Sequence, residues 1–247
     1  MRTRETNVPL RLAILAGLPL LLMVGLMVWL ILPTEAAPGS PVSQPDTLEL
    51  KVLGTYDSGI VDASAAEIVT HDPVTQRLFV VNANTPSVDV IDISEPLTPT
   101  LVFTISVATW GAVVNSVDFH DGVLATAVEA DPPQNPGTLV FFDADGMYLN
   151  DLPVGAMPDM VKFTPDGRYI LTANEGEPDL DYLVDPEGSI SVINMSGGVL
   201  SATVATADFQ AFIGREEELR QRGVRIFGPN ANAAQDIEPE YIAVSPD

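Results

Sequence analysis

Three features of the 247-residue sequence predict an all-β fold, a partial β-propeller of four-stranded antiparallel blades. Beyond residue 48, apolar β-branched runs alternate with polar residues at the period of strands. The runs recur in cycles of four that open at Ala66, Asn115 and Asp159, roughly 40–50 residues apart, the spacing of propeller blades. Each first-to-second connection carries Asp where a tight turn uses its side chain or a left-handed backbone, in HDPVTQR from His71, HDG from His120 and TPDGR from Thr164. About three blades and the start of a fourth are expected, preceded by one N-terminal transmembrane or signal helix.

The expected strands of the first copy are Ala66–Thr70, Arg77–Ala83, Ser87–Ile93 and Thr100–Val107. Those of the second are Asn115–Phe119, Gly122–Val128, Gly137–Phe142 and Met147–Val154. The third contributes Asp159–Phe163, Arg168–Ala173, Gly188–Asn194 and Val199–Thr206. A fourth copy opens at Glu240, where EYIAVSPD echoes MVKFTPDG of the third. The interval before it is too long for one blade, and the excess at about 201–239 predicts a helical insertion packed against the repeats. Asp208 caps that helix, Phe209, Phe212, Ile213 and Leu219 share a face, and Gly223 ends it. Glu216–Arg220 and Glu218–Arg222 have the spacing of ion pairs on its exposed side. Propellers close with about 4–8 blades, so the stretch 48–247 reads as an incomplete propeller and the chain as a fragment.

Upstream, Arg2, Arg4 and Arg11 form a basic end over residues 1–11. The uncharged run Leu12–Leu32 spans about 31 Å as a helix at roughly 1.5 Å per residue, the thickness of a bilayer core. The arginines hold its N-terminal end cytoplasmic and place the rest outside. The run serves either as a retained single-pass span in the cell membrane or as a signal segment cleaved near Thr34–Ala37, which leaves a secreted or cell-surface product. Residues 33–47, rich in Pro, Ser and Gly, form a semi-extended spacer.

Composition narrows the partners. A net charge of −23 excludes nucleic acid, whose phosphates demand clustered Lys and Arg. Without cysteine there is neither a disulfide nor a thiolate zinc site. G-x-S-x-G, H-E-x-x-H and phosphate-loop signatures are missing. His71 and His120 stand beside Asp at turns, and Asp57-Ser58-Gly59 reads as a turn as well. Asn194-Met-Ser is a glycosylation sequon, meaningful in a eukaryotic secretory pathway.

The densest chemistry lies in the loop 174–188. Glu175, Glu177, Asp179, Asp181, Asp185 and Glu187 are the candidate metal ligands, with no basic residue among them. Ca²⁺ takes 6–8 oxygens, and alternate acids converge on one ion if the loop curls, although the spacing is not that of an EF-hand. A plain solvated loop is the other reading. Glu238 and Glu240 flank Pro239 and face either the propeller axis or a surface edge.

ANEGEPDLDYLVDPEGSISVI at 173–193 and LRQRGVRIFGPNANAAQDIEPEYIAVSPD from Leu219 onward resemble segments of the choice-of-anchor I domain family. AMPDMVKFTPDGRYILTANEG resembles YVTN-type propeller repeats. The resemblance covers roughly 50–247. It implies an exported, surface-displayed propeller held by different anchors in different members, some labelled alkaline phosphatase or mesenchyme-specific cell-surface glycoprotein. It supplies no catalytic residues. The expected function is a non-catalytic scaffold that binds protein or carbohydrate, with a metal-dependent phosphoesterase as the alternative. That alternative lacks a nucleophile or basic clamp near the loop, where Lys162 and Arg168 are the nearest cations.

Overall fold

The computed structural model describes residues 49–61 and 66–245, and the expected membrane or signal segment at 12–32 lies outside them. Among the described residues no helix is long and apolar enough to cross a membrane. The chain divides after Lys51, and among the described residues every strand belongs to the part that follows.

Twelve strands form three four-stranded antiparallel sheets, each a meander in sequence order. The first holds β1 (Val69–Asp72), β2 (Arg77–Asn82), β3 (Ser87–Asp92) and β4 (Thr100–Ser106). The second holds β5 (Val113–His120), β6 (Val123–Glu129), β7 (Pro136–Asp143) and β8 (Tyr148–Ala156). The third holds β9 (Pro158–Phe163), β10 (Tyr169–Asn174), β11 (Ser189–Asn194) and β12 (Thr203–Asp208). These are the expected blades, with changes at two edge strands: β1 runs Val69–Asp72 in place of Ala66–Thr70, and the last strand of the third blade is shortened. Val199–Ser201 is a 3₁₀ turn, and β12 starts only at Thr203.

The turn chemistry is as the sequence predicts, by three different means. Asp72 Oδ1 accepts the Val74 N–H at 2.9 Å, and Asp166 Oδ1 accepts the Arg168 N–H at 3.1 Å. Asp121 itself takes the left-handed conformation, φ 45°. A second series emerges at the end of each third strand. Asp92, Asp143 and Asn194 each accept the backbone N–H two residues on, at 2.7, 2.9 and 2.9 Å. This is one Asx turn repeated in three blades.

Alternation along the second blade decides the packing. Leu124, Val128, Val140 and Phe142 face the first blade and join Phe79, Val81, Val88 and Val90 in one core. Ala125, Ala127, Leu139 and Phe141 face the third and join Val161, Phe163, Ile170 and Ile193 in another. The successive sheets thus pack face on face, with inner strands β1, β5 and β9 side by side and the fourth strands at the exposed rim. Burying a Leu, Val or Phe side chain contributes about 1.5–3 kcal/mol, so these two cores bind the blades together.

Asp118 on β5 ties the inner strands. Its Oδ2 accepts the Phe163 N–H at 2.8 Å, and its Oδ1 meets Lys162 Nζ at 3.1 Å and the Thr70 hydroxyl at 3.4 Å. One carboxylate therefore reaches strands of both neighbouring blades.

The insertion departs from the single helix expected. Gly214, at φ 80°, separates a 3₁₀ turn at Gln210–Phe212 from α1 (Glu216–Gln221). Asp208 meets the Gln210 N–H at 3.2 Å but caps no α-helix. Glu218 and Arg222 pair at 3.5 Å. Glu216 instead turns its Oε1 to the Gly214 and Ala233 N–H groups at 2.9 and 3.0 Å, while Arg220 Nε donates to the Ile226 carbonyl. Leu219, Ile226 and Ala233 form a small core with Phe212 and Ile237. Residues 240–245, where the fourth copy is expected to open, form no ladder. Each first strand pairs only with its second, and the described residues stop at Ser245.

Replacing Asp118 with Ala leaves the Phe163 N–H and the Lys162 ammonium without their acceptor. We expect a loss on the order of 1–3 kcal/mol in urea unfolding of the full chain in mild detergent, and a much smaller loss for the isosteric Asn.

Candidate functional site at the inner strands

The inner strands β1, β5 and β9 line a groove of about 510 Å³, flanked by Tyr241. Its polar lining includes His71, Asn115, Asp118, Asp159 and Lys162. Lys162, the basic side chain of this set, is held by Asp118. His71 therefore lies in the groove. His120 stacks on Phe163 at 5.5 Å and fills the space over Gly167, where a Cβ would stand 2.5 Å from the ring. Asp57 and Ser58 make the expected turn, accepting the Gly59 and Ile60 N–H groups.

Carboxylates gather at one end of the groove. Burial pushes the Glu175 carboxyl up to about 7, with Glu177, Asp159, Glu240 and Glu238 adding repulsion. Asp159 and Glu238 are raised as well, first by burial and then by their acidic neighbours. Glu238 and Glu240 stand near enough to add to the repulsion on Glu175, and Glu238 also lines the hollow against the insertion. Glu175 is anchored through its backbone, its N–H bonding to the Met157 carbonyl at 2.9 Å.

The six acids of the loop 174–188 do not converge on one point. Glu175 stands near Asp159 of the groove lining, Glu177 lies between Glu175 and the insertion's Glu238, and Asp179 and Asp185 lie near Asp236 of the insertion. Asp179 Oδ1 is taken up by the Leu183 and Val184 N–H groups at 2.7 and 3.2 Å. Glu187 Oε2 accepts from Gln210 Nε2 at 3.2 Å, and Asp181 is exposed. Among the described residues no group of three or more His, Asp or Glu is placed to hold a metal ion. The loop folds back on the insertion instead. The Gly188 N–H donates to the Ala234 carbonyl at 3.0 Å, and Gln235 Nε2 to the Asp185 carbonyl at 2.9 Å. A Cβ on Gly188 would stand 2.0 Å from the Ile237 carbonyl oxygen, so only glycine fits.

Between loop and insertion opens a second hollow of about 310 Å³, lined by Glu177, Asp179, Asp185, Asp236 and Glu238 with Leu180, Tyr182 and Phe227. Sequence reasoning missed it, because its two walls lie about fifty residues apart in the chain. The exposed apolar residues inside an acidic segment were the available signal.

Radially ordered meander sheets about a polar groove define a β-propeller-type domain. The chain belongs to the choice-of-anchor I domain family, whose sequence model matches residues 67–247. Among solved structures it is similar to a functionally unknown protein from Desulfotomaculum acetoxidans, at 11% identity and TM-score 0.46, over 64% of this chain and 45% of that one. It is also similar to the β-propeller domain of Cps50 (Swd1) from Myceliophteria thermophila, at 10% identity and TM-score 0.42, over 62% and 42%. A third is a putative 6-phosphogluconolactonase from Bacteroides fragilis, at 11% identity and TM-score 0.43, over 59% and 43%. The chain thus spans less than half the length of these structures. Among curated proteins, none matches this sequence.

A raised carboxyl pKa makes the folded state hold a proton that the unfolded state has released. Between pH 4.5 and about 7, Glu175 therefore makes the folded state lose stability as pH rises, and the effect levels off above. Urea unfolding across this range should show that decline, and Glu175→Gln should flatten it and be the more stable form at pH 8.

Proposed function

We propose that the chain is an exported, surface-displayed propeller domain that binds and scaffolds and does not catalyse. Its ligand, a protein or carbohydrate, docks at the inner groove and its acidic end. The observation that carries this reading is the groove itself, a polar concavity built from three rigid strands, the kind of preformed hollow that ligands fill. Family membership supports display at a surface, and the Leu12–Leu32 run supplies either a membrane anchor with its N-terminus cytoplasmic or an export signal.

The electrostatics favour binding over phosphoester chemistry. Lys162 is committed to Asp118, and Arg168 to Asp166 through its Nε. Asp166 in turn is held down at about 2 by its bonds to Thr164 and Arg168. Both cations are already paired with an acid, and the acids at the groove end would repel a phosphate. Calcium is a corollary of the same acids. The repulsion around Glu175 and Glu177 is relieved by a hard cation as well as by a proton, although the loop must close further for its carboxylates to converge.

The full chain in mild detergent should not hydrolyse p-nitrophenyl phosphate, with or without chelator. Chelator-sensitive turnover would overturn the non-catalytic reading. Protease treatment of intact cells should degrade residues 48–247, and their protection would overturn surface display. Calcium at millimolar concentration should raise the melting temperature of the full chain by several degrees, an effect that Glu175→Gln with Glu177→Gln diminishes. Unchanged melting would remove the calcium corollary.

A further inference from the structure

We propose that the hollow between the loop 177–185 and the segment 227–238 is a docking site for a basic segment of a partner protein, one Arg or Lys side chain entering it between apolar neighbours. The proposal deepens the reading of the chain as a binding domain and names the class of partner at a second surface.

The loop exposes apolar side chains that none of the described residues covers. Leu180 is fully exposed at 101%, Leu183 at 82%, and Phe227 across the hollow at 67%. This is not a floppy tip. The Asp179 N–H bonds to the Val184 carbonyl at 2.8 Å, the Tyr182 N–H to the Asp179 carbonyl at 2.9 Å, and the Asp179 carboxylate holds two further N–H groups. A turn braced from within and carrying large apolar groups outward resembles the anchor of an interface, where ordered hydrophobic contacts carry most of the energy.

Charge selects the occupant. Glu177, Asp179, Asp185, Asp236 and Glu238 all line the hollow. No Lys, Arg or His occurs between Arg168 and Arg215. Arg225 holds its guanidinium 5.0 Å from the centre of the Phe227 ring and is not among the residues lining the hollow. Asp185, in the wall of the hollow, has a buried Oδ1 with no hydrogen-bond partner among the described residues. Asp185 and Glu238 are both raised by burial and by neighbouring acids, so a guanidinium or ammonium would relieve both. A second copy of this chain, at net charge −23, would be repelled, as would an anionic membrane.

The test uses the full chain in mild detergent and a fluorescent synthetic peptide of alternating Leu and Arg. Control peptides carry Ser in place of Leu or citrulline in place of Arg. The Leu–Arg peptide should bind saturably and at least about tenfold more tightly than either control. The double variant Leu180→Ser with Leu183→Ser, at exposed positions that leave the fold intact, should lose roughly tenfold, and Asp185→Asn a similar factor. Equal binding of the Ser peptide would reveal general charge attraction and overturn the site. So would wild-type affinity in the double variant, or sedimentation showing that the hollow joins two copies. Saturable binding that ignores these variants would sink the hollow but leave the binding function standing, whereas chelator-sensitive phosphatase turnover would strike the function itself.

Discussion

The middle blade must be apolar on both faces, and most of the fold depends on that. Along β6, Leu124 and Val128 enter one core while Ala125 and Ala127 enter the other. Along β7, Val140 and Phe142 oppose Leu139 and Phe141 in the same way. Successive side chains of a strand point to opposite faces, so a one-residue slip of β6 would exchange the large and small residues between two tightly filled spaces. Even Thr126 is fully buried, its hydroxyl satisfied by the Val140 carbonyl at 3.0 Å. With the register fixed in this way, β5 is brought beside β1 and β9, and the Asp118 carboxylate can reach both neighbours.

Placing the inner strands side by side also sets the electrostatics. Asp118 shares its carboxylate with Lys162 and a backbone N–H, and Asp166 with Thr164 and Arg168. These acids are compensated where they stand. Glu175, Asp159 and Glu238 lose water and meet other acids, and their carboxyls move upward. One residue class thus does opposite work at the two places. It locks strands together where a cation or N–H answers it, and it stores repulsion at the groove end where none does.

The insertion gives the third blade a second wall. It is joined to the loop 174–188 by the Gly188–Ala234 and Gln235–Asp185 bonds, and the backbone approach at Gly188 leaves no room for a side chain. This contact divides the acidic loop. Glu175 remains near the groove's Asp159, Glu177, Asp179 and Asp185 line the hollow against the insertion, and Glu187 reaches Gln210. An acid-rich loop that looks like one cation site in the sequence becomes two separate surfaces.

The sequence by itself determined what depends on near neighbours. Alternation and turn chemistry located the twelve strands to within a few residues, because period and Asx turns are local properties. The Asp92, Asp143 and Asn194 turns rest on equally local chemistry, although they emerged only with the structure. Local chemistry also marked Gly223 as a helix stop. Only the tertiary structure decided which carboxylates share a space, since Asp159 and Glu175 of the third blade meet Glu238 of the insertion, and their positions in the chain carry no trace of the distance. It also decided that Glu216 serves the Gly214 and Ala233 N–H groups in place of Arg220, because a bent segment offers closer unpaired donors than an exposed ion pair. The physical reason is the same in each case. Hydrogen bonds within a turn are settled by a handful of dihedral angles, while burial and repulsion depend on everything that folding brings near.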